Sequence, residues 1–198
     1  NKEIFIRELV SNASDAIDKL RFKSVEDKSI SKYTKDLKID VKILKDENKI
    51  VISDNGIGMT EDEVVANIGT IARSGTASFL NNITGDKKKD SNLIGQFGVG
   101  FYSVFMVADK VEVISKSVFE DSDKAILWES SGEEKYKLKE VTKENNGTDI
   151  IIYLNDDNKE FAEEGRVRFL LEKYSQYINF PLNLITSEND SKRINDAD

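Results

Sequence analysis

The chain has 198 residues, 38% of them hydrophobic, enough for one domain with a substantial core. Its 29 basic and 37 acidic residues leave a net charge of -8, and no basic run is interleaved with aromatics, so neither a nucleic-acid partner nor a phosphate-backbone binder is expected. Cysteine and histidine are both absent, which excludes disulfides, thiolate metal sites, Ser-His-Asp triads and phosphohistidine relays within the chain and leaves carboxylates for proton transfer near neutral pH.

Residues 3–22 read as one amphipathic helix, with Phe5, Ile6, Leu9, Val10, Ala13, Ala16, Ile17 and Leu20 on one stripe. Glu8, Asn12 and Asp15 fall beside that stripe at spacings that stack on one face, which puts them at the rim of the core. Taken alone, the trio fits a solvated helix flank as well as a functional edge. Residues 24–35 are polar and aperiodic, a connector with a short helical turn. Leu37, Ile39, Val41 and Ile43 alternate with polar residues as in a half-buried strand, Asp46-Glu47-Asn48 supplies a turn, and a second strand of the same hairpin ends at Asp54.

Thr60 and Glu63 fit a capping box that opens a helix to about Ile68. Residues 69–90 then turn to Gly, Ser, Thr, Asn and Lys, the composition of a mobile lid between two Gly-rich motifs. Residues 101–108 are apolar enough for a buried helix. Short strands are expected at 111–115, 125–130, 136–141 and 148–154, and their turn-length gaps predict an antiparallel meander. A final helix covers about 159–178, the single proline Pro181 ends it, 182–185 adds a strand, and 187–198 is a polar, frayed tail. The expected fold class is α+β: a two-layer sandwich of a mostly antiparallel sheet with helices on one face, forming one domain over 1–186. No apolar run approaches the roughly 20 residues that span a bilayer, so no membrane partner is expected.

Three stretches carry chemistry. Asp54, at a strand end beside Gly56 and Gly58, can accept a hydrogen bond from the exocyclic amine of a base while the glycines admit the ring; a plain Asp-Asn-Gly turn accounts for the same residues. The loop Gly95-Gln96-Phe97-Gly98-Val99-Gly100-Phe101 offers backbone N–H groups to phosphates ahead of a helix, although it matches neither the P-loop nor the dinucleotide fingerprint. Asn12 supplies a neutral oxygen suited to Mg²⁺, Glu8 one turn away can deprotonate a water for attack on a terminal phosphate, and Asp15 can join a hydrogen-bond network. Together they predict a nucleotide site.

The ordered set made by residues 1–16, containing Glu8-Leu9-Val10-Ser11-Asn12-Ala13-Ser14-Asp15, by Asp54-Asn55-Gly56-Ile57-Gly58-Met59, by Gly69-Thr70-Ile71-Ala72-Arg73-Ser74-Gly75-Thr76 and by residues 94–103 resembles the N-terminal ATP-binding domain of the heat-shock protein 90 chaperones. The likeness runs to about Leu184, and the wider class, of GHKL type, includes DNA gyrase, histidine kinases and mismatch-repair ATPases. Residues 90–93, 128–130, 166–168 and 173–175 are most similar to the bacterial cytosolic form, with the mitochondrial form next.

The resemblance implies Glu8 as general base, Asn12 on Mg²⁺ and phosphate, Asp15 within the site's hydrogen bonding, and Asp54 on the adenine amine. It implies Gly58, Met59 and Thr148 around the adenine, Asn67 near the ribose, and Gly98, Val99, Gly100 and Phe101 at the phosphates. Lys19 and Arg73 are then nearby cations, and 69–93 a closing lid. ATP or ADP with Mg²⁺ would be the ligands, client proteins the partners, and the full-length protein a cytoplasmic homodimer, with the mitochondrial matrix as the alternative place. The strand that precedes the first helix in the family is missing, as are the middle domain, towards which 187–198 leads, and the dimerisation domain. This chain is therefore expected to be a monomer that binds nucleotide and hydrolyses it slowly. A histidine-kinase-like catalytic domain and a non-hydrolysing nucleotide-sensing module stand as alternatives.

Overall fold

The computed structural model describes residues 1–69, 100–132, 135–187 and 190–197. Helix α1 spans Ile4–Glu26, beyond the predicted end at Phe22. The apolar stripe stops at Leu20 and leaves Phe22 and Val25 exposed, so backbone hydrogen bonds rather than packing carry the last turn, closed by the Asp27 N–H on the Lys23 carbonyl at 2.8 Å. Asp27 then caps a 3-10 segment at Lys28–Thr34 by accepting the Ser29 N–H at 3.0 Å. Strands β1 (Ile39–Leu44) and β2 (Lys49–Asp54) form the expected hairpin, turned through Asn48 in the left-handed region. The capping box of Thr60 and Glu63 is formed at the start of the short helix α2 (Glu61–Val64), which widens into a π-turn at Val65–Gly69.

Four elements depart from the sequence expectation. The segment read as a buried helix to 108 is a 3-10 stretch, Gly100–Met106, and Ala108 already opens strand β3 (Ala108–Lys116). The meander holds only for β3, β4 (Lys124–Ser130) and β5 (Tyr136–Thr142); β6 (Gly147–Leu154) returns to the other side of β3 and pairs with both β3 and β2, a Greek-key order. Burial explains that choice, because β6 alternates buried residues as a central strand does while β5 is largely exposed and suits an edge.

The helix expected over 159–178 is broken into a 3-10 segment, Asp156–Ala162, and helix α3, Glu164–Ser175, with extended backbone at Glu163. In one unbroken helix Phe161 and Val167 would point about 120° apart, and the break lets both be buried. The tail read as frayed instead contributes β8 (Asp190–Arg193), which pairs with β7 (Leu182–Ser187), and Asn195 bridges the Leu182 N–H and the Phe180 carbonyl.

The eight strands run in the order β5-β4-β3-β6-β2-β1-β7-β8, with β1–β7 the one parallel pair among the described residues. Alternation buries one face. Across β2, β6 and β3 the register stacks Ile50, Ile152 and Val111 in one row and Ile52, Ile150 and Val113 in the next, all facing the core that α1 and α3 share.

Gly147, at the entry to β6, has φ +117, and a Cβ there would collide with the Asp54 carbonyl oxygen. Gly165, inside α3, has open space around its Cα. Thermal unfolding of Gly147→Ala is expected to show a loss of about 2 kcal/mol or more, whereas Gly165→Ala should gain roughly 0.5–1 kcal/mol from helix propensity. Similar melting temperatures for the two variants would contradict this placement of strain.

Candidate functional site

The next row along the same three strands is polar. Asp54 on β2 is in register with Thr148 on β6, and Thr148 with Ser115 on β3, so these three side chains continue the core-facing phase of the isoleucine and valine rows. Ser115 and Thr148 are buried, with their hydroxyl oxygens 2.8 Å apart. Ser115 Oγ also accepts the Met59 N–H at 2.9 Å. Asp54 accepts the Gly56 N–H at 2.9 Å on Oδ1. The residue keeps some solvent contact, yet burial pushes its carboxyl up to about 7; the Gly56 N–H opposes that, Asp149 adds to it, and Lys143 and the Thr148 backbone oppose it.

The turn after Asp54 is docked on α1. The Ile57 N–H donates to the Ala16 carbonyl at 3.0 Å, and the Val118 N–H donates to the Ile57 carbonyl at 2.8 Å. Asn146 holds the same turn from outside by donating to the carbonyls of Asn55 and Gly56 at 3.1 and 2.7 Å. Gly58 has φ +68 with its Cα against the Lys116 carbonyl, so a side chain there would both strain the backbone and collide.

Two turns towards the N-terminus of α1, Glu8 meets a second segment. A Cβ on Gly100 would lie 2.5 Å from Glu8 Oε2, so the end of the Gly-rich loop runs directly over that carboxylate. The other oxygen, Oε1, accepts from Arg7 Nη2 at 3.0 Å and Nε at 3.3 Å. Asn12, Asp15 and Lys19 are exposed along α1. Glu8 and Asp15 also border a hollow of about 320 Å³ between α1 and the end of α3, lined by Arg7, Ser11, Tyr174 and Tyr177 among others; Asn12 and Asp54 are not part of it.

Among the other residues singled out from the sequence, Met59 is half-buried on the edge of the core, and Asn67 Nδ2 contacts its sulfur at 3.8 Å. Phe101 turns its ring into an edge-to-face cluster with Tyr102 and Trp128. Arg73, Gly98, Val99 and all of the segment 69–93 except Gly69 lie outside the described residues. Ser115 escaped the sequence reading. The available signal was its phase: after Val111 and Val113, it is a hydroxyl at the position where the alternation calls for another core residue.

Residues 2–155 match the profile of the histidine kinase-, DNA gyrase B- and HSP90-like ATPases. The chain is also similar to the chaperone protein HtpG of Pseudoalteromonas translucida, 54% identical over 95% of this chain and 29% of that protein. HtpG of Campylobacter jejuni is 56% identical over 92% of this chain, and HtpG of a Sulfurovum species 52% identical over 96%. The chain thus spans 29 to 30% of the length of these curated relatives. With the profile covering most of the chain and an α+β sheet of matching class beneath it, the chain belongs to the histidine kinase-, DNA gyrase B- and HSP90-like ATPase family, on its HSP90 side.

Proposed function

We propose that this chain is the ATP-binding, slowly ATP-hydrolysing domain of a molecular chaperone that assists protein folding under stress. The observation that carries the reading is that α1 holds the turn after Asp54 through Ala16 and places the Glu8 carboxylate under Gly100. The meeting points, Ala16 and Glu8, are eight residues apart, about 12 Å along a helix. Asn12 lies between them. The donor set suits a purine nucleotide: Asp54 is an acceptor for an amine, Gly58 admits close backbone approach, and Asn12 offers a neutral oxygen. Among the described residues no three acidic side chains cluster to hold a metal by themselves, which suits a Mg²⁺ ion that shares its shell with phosphate and water.

In this reading Asp54 accepts from the adenine amine, Gly58, Met59 and Thr148 line the base, and Asn67 approaches the ribose. Asn12 holds Mg²⁺ and phosphate, Asp15 joins the surrounding hydrogen bonds, and Lys19 and Arg73 are the nearby cations. Gly98, Val99, Gly100 and Phe101 offer backbone to the phosphates, and 69–93 closes as a lid. The metal, when bound, offsets charge on the terminal phosphate. Glu8 takes the proton of the attacking water; with Oε1 occupied by Arg7, Oε2 under Gly100 is the oxygen available for it. The domain comprises 1–186, and 187–198 leads towards a middle domain. The longer protein works in the cytoplasm as a homodimer that closes around client proteins, and the chain alone is a monomer. The relatives reported above are all bacterial and lend the mitochondrial alternative no support.

Isothermal titration with ATP and ADP, with and without Mg²⁺, is expected to show binding by the chain. Glu8→Ala should abolish hydrolysis by the longer protein while binding persists, and hydrolysis by the isolated chain should be far slower than by that protein. Turnover at an equal rate would refute the division of labour.

The pH dependence of binding has a definite sign. An amine donor favours the ionised carboxylate, and in the free chain Asp54 is half protonated near pH 7. ATP affinity is therefore expected to rise about tenfold from pH 6 to pH 8, with proton release on binding below pH 7. Asp54→Asn should lack that proton release; a flat affinity profile in the parent chain would count against Asp54 as the base-reading group.

A further inference from the structure

Ser115 has no part in the reading above, and the inference about it rests on that reading. It is fully buried on β3, between the loop carrying Gly58 and Met59 on one side and Thr148 on the other. Its Oγ accepts the Met59 N–H at 2.9 Å and lies 2.8 Å from Thr148 Oγ1 and 3.4 Å from the Gly147 carbonyl. A serine hydroxyl has one proton to give. Given to Thr148, it makes a hydrogen bond of ordinary O–H···O length; given to Gly147, it makes one well outside that range. Either hydroxyl could donate across the 2.8 Å contact, and Ser115 is assigned as the donor because its alternative acceptor, the Gly147 carbonyl, lies at 3.4 Å. Thr148 Oγ1 then accepts, and its own proton is directed elsewhere.

We infer that Ser115 is a positioning residue that fixes the Thr148 hydroxyl as a donor beside the Asp54 acceptor and thereby selects adenine. Acceptor and donor sit in adjacent positions of one row, since Asp54 and Thr148 are register partners. The edge of adenine presents the complementary order, an amine donor next to the N1 acceptor. Guanine presents the reverse, an O6 acceptor next to an N–H at N1. One buried oxygen thus sets the polarity of the base-reading row.

The experiment is calorimetric titration of the 198-residue chain with ATP and with 1-deazaadenosine triphosphate, which keeps the amine and the phosphates but carries C–H in place of N1. The parent chain is expected to bind the analogue about tenfold more weakly than ATP, the scale of one lost hydrogen bond. Ser115→Ala should weaken ATP by about tenfold and the analogue hardly at all, bringing the ratio of the two affinities close to one. Ser115→Thr, which keeps the hydroxyl, should restore most of the ratio. A general loss of packing would weaken both ligands alike and leave the ratio unchanged. Equal binding of both ligands by the parent chain, or equal weakening of both by Ser115→Ala, would overturn the role of Ser115 and leave the nucleotide reading standing. No binding of ATP by the parent chain would overturn both. The parent-chain comparison needs no variant, so a Ser115→Ala chain too unstable to titrate does not shield the inference from refutation.

Discussion

The constraint from which the rest follows is the phase of the three central strands. Side chains on β2, β6 and β3 that face the helices recur every second residue, and register locks the three strands into shared rows. Two of those rows are apolar and fill the core. The third, Asp54, Thr148 and Ser115, keeps the phase but changes the chemistry, so a polar surface faces inwards at the end of the sheet. Helix α1 packs on the apolar rows through Phe5, Leu9, Ala13 and Ile17 and is held at the end of the polar row by the bond between Ile57 and Ala16. The inward-facing polar row beside α1 is thus a product of the core's own geometry.

An inward-facing polar row is costly unless its hydrogen bonds are made, since each unmatched buried donor or acceptor costs about 1–3 kcal/mol. Here Ser115 takes the Met59 N–H and contacts Thr148, and Asp54 takes the Gly56 N–H. The carboxyl of Asp54 is the incompletely compensated member. Because its folded-state pKa is raised to about 7, its contribution to stability is greatest below the ordinary carboxylate range and is lost as the pH rises through 7. Near neutral pH the folded chain holds a carboxylate that still gains from a donor. That is a physical reason for a ligand to bind there, one that a well-solvated aspartate at the surface would not supply.

Much of this was legible in the sequence. The stripe of α1 was readable because its apolar spacing matches a helix, and seven of the eight residues placed on it are buried, Ala16 being half-buried. The hairpin and the capping box were readable because each is local. Pairing across long sequence separations was not: strand lengths and gaps are the same whether β6 continues a meander or returns to β3, and the difference lies in which strand is buried on its core-facing side. The break at Glu163 was hidden for a similar reason, since Phe161 and Val167 both look apolar and only the three-dimensional core demands that both face inwards. The tail misled because polar residues serve an edge strand as well as a disordered end. In the candidate site, Glu8 lies under Gly100 and Thr148 is the register partner of Asp54, while Met59 is tied to Thr148 through Ser115, which was overlooked because an isolated serine carries no motif.

The N-terminal anchor of α1 ties these observations together. Glu3, just before the helix, receives Arg166 at 3.2 Å, Lys173 at 3.2 Å and the Tyr174 hydroxyl at 3.5 Å from α3. Burial alone would raise the Glu3 carboxyl, but Lys173 and Arg166 more than offset it and hold it below its ordinary value. Beneath this ionic contact, Phe5 meets Phe161 edge to face at 5.0 Å, and the Arg166 guanidinium lies over the same Phe161 ring. Glu8 follows little more than one turn later, so the carboxylate under Gly100 sits on a stretch of helix fixed on both sides, by α3 before it and by the Asp54 turn at Ala16 after it. A side chain on a helix held in this way keeps its direction. Arg166, Lys173 and Tyr174 touch the beginning of α1 rather than the polar row. These contacts belong to the scaffold, and they fix the start of the helix that carries Glu8.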